Sequence, residues 1–232
     1  MSSPWVPRVL LGVGLAGLIG AIISLSVGTG GPKVIKITGG DAVQELLGGV
    51  QQNGASLGDP NAPVTVALFT DLQCSTCDTC ELETVDRLIE EYARESEVRF
   101  EFHNYSLGQA EVTQAAYAAT AAGEQDVEWQ FADLFFRNQD AAPNGTVTSQ
   151  FLDDIGNAID SFSTLDVGQW HQDMDSPQVK DSVDADQKLA AQYGLRINAP
   201  SIVVDGPSGT KVLQDGPSKA EVDAAVADVS SS

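Results

Sequence analysis

A run of apolar, β-favouring residues, Pro63-Val64-Thr65-Val66-Ala67-Leu68-Phe69-Thr70, is followed closely by Cys74-Ser75-Thr76-Cys77 and then by Val85, Leu88, Ile89 and Tyr92 at helical spacing. No other feature restricts the fold as strongly. The first run has the composition of a buried strand, and the last has the period of a helix. A thiol at the first turn of a helix meets unpaired backbone N–H groups and the positive end of the helix dipole. Both favour the thiolate, which is the nucleophile of disulfide exchange. All three cysteines of the chain fall within residues 74–80. A framework of structural disulfides would scatter an even number along the chain. These cysteines therefore form a candidate site for thiol–disulfide chemistry.

The N-terminus bears on where that chemistry takes place. Residues 9–27 carry no charged side chain, a stretch long enough to cross a bilayer and longer than the usual apolar core of a signal peptide. Arg8 precedes it, while Lys33 and Lys36 follow it. An uncleaved transmembrane anchor with a cytoplasmic N-terminus is expected, with cleavage after Ser24-Leu25-Ser26 as the alternative. Thr29-Gly30-Gly31-Pro32 separates this segment from the rest. Either arrangement puts the remaining chain outside the cytoplasm, where disulfides persist, and the favoured anchor would hold it at the cell membrane. The net charge is −21. Such a surface repels nucleic acid and anionic lipid headgroups, so no nucleic-acid partner is expected.

The segments read as follows. Residues 1–31 form an anchor or signal segment. Residues 32–57 form a tether with a short strand at 33–37 and a short helix from Asp41 to Leu47. Turn-forming Gly58-Asp59-Pro60-Asn61-Ala62-Pro63 leads into the main domain, 58–232. There the patterns predict a strand at 63–71, a helix over 74–95 and a strand at 98–105. A long helical region covers about 109–193. Strands at 201–204 and 211–213 flank a turn at 205–209, and a helix spans 218–228, capped near Ser218. This order is that of an α/β protein: a central mixed sheet with a helical insertion in its middle.

That order, with Phe69-x-Asp71-x-x-Cys74-x-x-Cys77 at the end of a strand, resembles the thioredoxin-like thiol–disulfide oxidoreductases of the DsbA type. It is most similar to the membrane-anchored group common in Gram-positive bacteria. The segment Gly194-Leu195-Arg196-Ile197-Asn198-Ala199-Pro200-Ser201-Ile202-Val203-Val204-Asp205-Gly206 looks like a second landmark of the family, a cis-proline followed by a strand and a turn. The resemblance covers about 58–228. It implies a thioredoxin-like fold with an inserted helical subdomain, preceded by one transmembrane helix. It implies that Cys74 attacks, that Cys77 resolves, and that Ala199-Pro200 is a cis peptide beside them, offering backbone to a bound substrate strand. Cysteine-containing exported proteins would be the substrates. A vitamin-K-epoxide-reductase-like or DsbB-like membrane protein would recycle the pair, and no cofactor is expected.

The chain departs from the family pattern at several positions. Ser75-Thr76 stands where DsbA-type oxidants carry Pro-His. Hydroxyl donors stabilise a thiolate less than a charged imidazole does, so a less depressed Cys74 pKa and a weaker oxidant are expected. Cys80 has three readings: a small buried hydrophobe, a third redox thiol that could pair with Cys77, or a soft metal ligand with Cys74, Cys77 and His103. Asp71 either raises the thiol pKa and accepts a proton, or serves as a strand-end turn residue. Trp129, Phe131, Leu134, Phe135 and Trp170 read as core, with a substrate groove as the lesser option. His103 and His171 receive no role. Three functions follow: an extracytoplasmic disulfide oxidoreductase acting as an oxidase, a copper- or zinc-handling protein, and a redox-inert peptide-binding module.

Overall fold

In a computed structural model the described residues are 35–74, 77–105, 114–142, 146–196 and 199–230. All of them belong to the second of the two units into which the chain divides, Val34–Ser232. The expected membrane-crossing segment at 9–27 lies outside the described residues. Among the described residues, no helix is long and apolar enough to cross a membrane.

Strand β3 (Val64–Thr70) is buried at every position but Thr65, as befits a strand covered on both faces. It pairs in parallel with β4 (Val98–Asn104) and antiparallel with β5 (Ser201–Gly206), which pairs in turn with β6 (Gly209–Leu213). Two short strands, β1 (Gln52–Asn53) and β2 (Ser56–Leu57), extend the sheet beyond β4. The sheet order is β1-β2-β4-β3-β5-β6, so the sheet is mixed. The parallel β3–β4 pair requires a crossover. It is supplied by α2 (Cys77–Cys80), a π-helical turn (Glu81–Val85) and α3 (Asp86–Tyr92). A last helix, α9 (Lys219–Ser230), follows β6.

The helical insertion lies between β4 and β5 in sequence. It comprises α4 (Gln114–Gly123), α5 (Glu128–Asn138), α6 (Ser149–Asp160), α7 (Val167–Met174) and α8 (Pro177–Gln192). Thr148, Asp166 and Ser176 cap the starts of α6, α7 and α8 through side-chain oxygens, each sparing an orphan N–H. Trp129 meets Phe100 and Phe102 edge-on, with ring centroids 6.2 and 5.5 Å apart, so insertion and sheet share one core. Trp129, Phe131, Leu134, Phe135 and Trp170 are all buried, which makes them core rather than groove.

Helix α8 covers the opposite face of the sheet, where Phe69, Ala67 and Val203 meet Ala190 and Leu195. His103 lies on this face, stacked on Phe69 with ring centroids 4.5 Å apart. Its Nδ1 is 2.7 Å from Asp186 on α8, whose other oxygen accepts the Asn104 N–H at 2.9 Å. Glu101 flanks its Nε2 at 3.6 Å. Burial disfavours the imidazolium, but Asp186 and Glu101 outweigh burial and push His103 up to about 9. A residue with no evident role in the sequence thus ties α8 to the sheet.

Two expectations need correction. The strand at 33–37 is absent from its described part, because the chain there runs along the insertion instead. The Ile35 N–H donates to Asp154 on α6, and Thr38 exchanges hydrogen bonds with Asn138 on α5, which satisfies the backbone without a sheet partner. The added edge comes from β1 and β2, which are too short to show a period. The single helix expected over 74–95 is interrupted, in its described part, by the π-helical turn and ends at Tyr92. Before β1, α1 (Gly40–Leu47) buries Val43, Leu46 and Leu47, and Arg94 donates to three carbonyls at its C-terminal end.

Two outcomes are expected. A Cβ at Gly156 would lie 2.9 Å from the buried Trp170 ring, whose Nε1–H is held by the Ala118 carbonyl. Gly156→Val should therefore cost about 1–3 kcal/mol, read as a lower urea midpoint. The His103 pKa is raised on folding, so its ion pairs stabilise fully below about 6.5 and fade as the pH rises through about 9. Over that window the wild-type chain should lose about 1–3 kcal/mol of stability relative to His103→Gln, measured by denaturant titration at each pH.

Candidate active site

The site begins where β3 ends. Asp71 is buried, and its carboxylate accepts the Gln73 N–H at 2.8 Å while its carbonyl accepts the Cys74 N–H at 3.0 Å. This side-chain-braced turn carries the chain off the sheet to Cys74. Cys74 and Cys77 form a disulfide with Cα atoms 5.4 Å apart. Cys77 opens α2, donates its N–H to the Cys74 carbonyl at 3.2 Å and is fully buried. Cys74 is only half-buried. Cys74 is thus the more exposed residue of the pair and Cys77 the inner one. Ser75 and Thr76, and the effect expected of them, lie outside the described residues.

Ser201 pairs with Phe69, so Pro200 stands across from Thr70 at the same end of the sheet as the Cys74 turn. Topology brings this loop to the disulfide from far along the chain. The expected cis peptide is not found: the Ala199–Pro200 bond is trans, the isomer X–Pro bonds intrinsically favour. Pro200 is buried, and its carbonyl accepts the Gly216 N–H at 2.9 Å. Ala199, half-buried, precedes it. Arg196 is clamped to Gln214 and Asp215, which holds the loop from its other side.

Cys80 is a free, half-buried thiol. Burial, followed by the neighbouring Glu81, pushes its pKa up to about 12, so it carries no thiolate at neutral pH. The disulfide leaves Cys77 unavailable to it. The metal set is not assembled either, because His103 faces the other side of the sheet. Among the described residues no group of three or more His, Cys, Asp or Glu side chains is placed to hold a metal ion.

Farther along the crossover from the disulfide lies a buried charged cluster. Glu81 follows Cys80 in the π-helical turn, and burial together with Asp86 and Asp133 holds its carboxyl well above the ordinary range. Arg137 on α5 pairs with Asp86 at 2.5 Å and with Asp133 at 2.9 Å. Burial nevertheless raises both aspartates. Just after α5, the Gln139 side chain reaches back to the site: its Nε2 donates to the Leu72 and Cys74 carbonyls, each at 2.9 Å. No sequence signal marked Gln139, because it lies 65 residues from Cys74.

A disulfide between one partly exposed and one buried cysteine, at the end of a central strand and beside a proline loop, is suited to disulfide exchange. The comparisons agree. A family model described as thioredoxin matches residues 51–226. A probable disulfide bond formation protein D of Bacillus anthracis is 31% identical over 65% of this chain and 69% of its own. Among solved structures, oxidised BdbD of Bacillus subtilis is similar at a TM-score of 0.61 and 20% identity, covering 77% of this chain and 95% of that one. A thioredoxin-like oxidoreductase of Silicibacter pomeroyi gives a TM-score of 0.56 at 22% identity, covering 79% and 95%. The chain belongs to the thioredoxin-like disulfide oxidoreductases of the DsbA type, and its fold is the thioredoxin-like sheet with a helical insertion.

The exposure of the cysteines and the raised pKa of Cys80 set an expected order of reactivity. After mild reduction, alkylation at neutral pH should modify Cys74 first. Cys80→Ala should retain exchange with a model dithiol to within about twofold, since a thiol with so high a pKa contributes no nucleophile. A large loss of exchange rate, measured fluorimetrically, would return Cys80 to the redox site.

Proposed function

We propose that this protein is an extracytoplasmic dithiol oxidase that introduces disulfides into exported proteins. The observation that carries the disulfide-exchange part of this reading is the asymmetry of the pair, a half-buried Cys74 joined to a fully buried Cys77. The oxidase direction follows the relatives named for disulfide bond formation. A substrate thiolate attacks the Cys74 sulfur, forming a mixed disulfide, and Cys77 departs with the electron pair of the broken bond. A second substrate thiolate then attacks the substrate sulfur of that mixed disulfide, and Cys74 departs. The substrate gains a disulfide, the Cys74–Cys77 pair gains two electrons, and two protons pass from substrate to the pair or solvent. Ala199 and Pro200 border the place where the substrate strand would lie.

The uncharged run at 9–27 supports a single membrane anchor for residues 1–31, with 32–57 leading to a catalytic domain at 58–232. The curated relative is itself named for disulfide bond formation. A membrane protein that accepts electrons, similar to vitamin K epoxide reductase or DsbB, would reoxidise the pair.

The test is equilibration of the full-length chain in graded glutathione buffers, with alkylation and mass assignment of the modified cysteines. A Cys74–Cys77 potential near or above about −180 mV is the expected outcome for an oxidase. A value near or below about −270 mV would instead make the protein a reductase. Full exchange activity in Cys74→Ser would overturn the assignment of the nucleophile.

A further inference from the structure

We infer that Gln139 is a positioning residue for Cys74, holding the two carbonyls of the nucleophile's turn so that their negative ends do not oppose the thiolate. The inference deepens the oxidoreductase reading and rests on it for its consequence in exchange.

The hydrogen-bond inventory of the turn leads to this role. The N–H groups of Gln73 and Cys74 are both spent on Asp71, one on its side chain and one on its carbonyl. The turn also presents the Leu72 and Cys74 carbonyls as acceptors. One amide nitrogen has two protons, and at Gln139 each carbonyl stands 2.9 Å from that nitrogen. The Cys74 carbonyl takes a further bond from the Cys77 N–H, across the disulfide loop itself. Gln139 therefore does two things. It fixes the direction of both carbonyl dipoles, and it places the positive end of its own amide dipole against the residue whose sulfur must become anionic. Both favour the ionised form.

Gln139 is well supported for such a role. It starts the short turn (Gln139–Ala141) that ends α5. Two residues earlier, Arg137 joins α5 to Asp86 on α3, the continuation of the active-site helix. One residue earlier, Asn138 is locked by the Leu134 and Thr38 carbonyls. The amide is thus delivered by an element anchored on both sides, and little reorganisation is needed when charge develops on Cys74.

The test compares the full-length wild-type chain with Gln139→Leu, which keeps the size and loses the donors, and Gln139→Glu, which at neutral pH loses the donors and adds a negative charge. Alkylation of the reduced proteins with iodoacetamide across pH, assigned to Cys74 by fragment-ion mass spectrometry, gives the thiol pKa. Near-ultraviolet circular dichroism reports the native fold. Loss of these hydrogen bonds should raise the Cys74 pKa by about 0.5–1 unit in Gln139→Leu and by more in Gln139→Glu. The equilibrium with glutathione should move about three- to tenfold toward the protein disulfide, making a weaker oxidant. A purely structural role would lower stability and leave the pKa and equilibrium in place. A wild-type pKa in both folded variants would overturn the inference, and if Gln139→Leu does not fold, Gln139→Glu alone decides. A wild-type chain that exchanges no disulfide would overturn the oxidoreductase reading, while the pKa comparison would still decide the role of Gln139.

Discussion

The double pairing of β3 is the constraint on which the rest depends. Parallel hydrogen bonding to β4 on one side and antiparallel bonding to β5 on the other give this strand no free edge. Its buried residues then have to be covered on both faces, and the two cores do so, one with the insertion and α9, the other with α8. Everything chemical happens where β3 stops. The Asp71 turn leaves the sheet there, the proline loop enters it alongside, and the crossover to β4 begins with Cys77. A one-residue slip of β5 against β3 would invert the faces of Ile202 and Val203 and carry Pro200 away from the Cys74 turn.

Two sulfurs in one disulfide are made unequal by their surroundings alone. Cys77 opens the crossover helix against the main core and is sealed from solvent. Cys74 sits on the turn, outside that seal. The third thiol, Cys80, differs again: burial and the adjacent Glu81 keep it protonated. The cluster of Glu81, Asp86, Asp133 and Arg137 joins the active-site crossover to α5 through one shared cation. Burial of several carboxyls around a single guanidinium is costly unless most bonds are satisfied, and the raised carboxyl pKa values are its signature. The insertion is therefore more than a cover, because α5 supplies both Arg137 and the approach to Gln139.

Much of the architecture was legible. The run at 63–70, the alternation of Val98, Phe100 and Phe102, and the start of the last helix near Ser218 each carry a local signal that the structure expresses. The failures are equally specific. Strands β1 and β2 contain two residues each, below any readable period. Residues 35–38 alternate like a strand but are satisfied by Asp154 and Asn138, acceptors that no window of sequence can see. The π-helical turn at Glu81–Val85 interrupts a segment whose apolar residues keep ordinary helical spacing, so no local pattern announces it.

The sequence by itself determined the chemistry and its address within the fold: a thiol pair between a buried strand and a helix, followed far downstream by a proline, a strand and a turn. Those are local patterns, and local sterics and hydrophobic periodicity suffice to express them. Only the tertiary structure decided which cysteine is partly exposed and which is sealed, that burial and Glu81 raise the Cys80 pKa, that His103 pairs with Asp186 on α8, and that Gln139 meets the Cys74 turn. Burial, desolvation and hydrogen bonds between residues distant in sequence settle these points. They depend on how the elements pack, and no stretch of the chain encodes them alone.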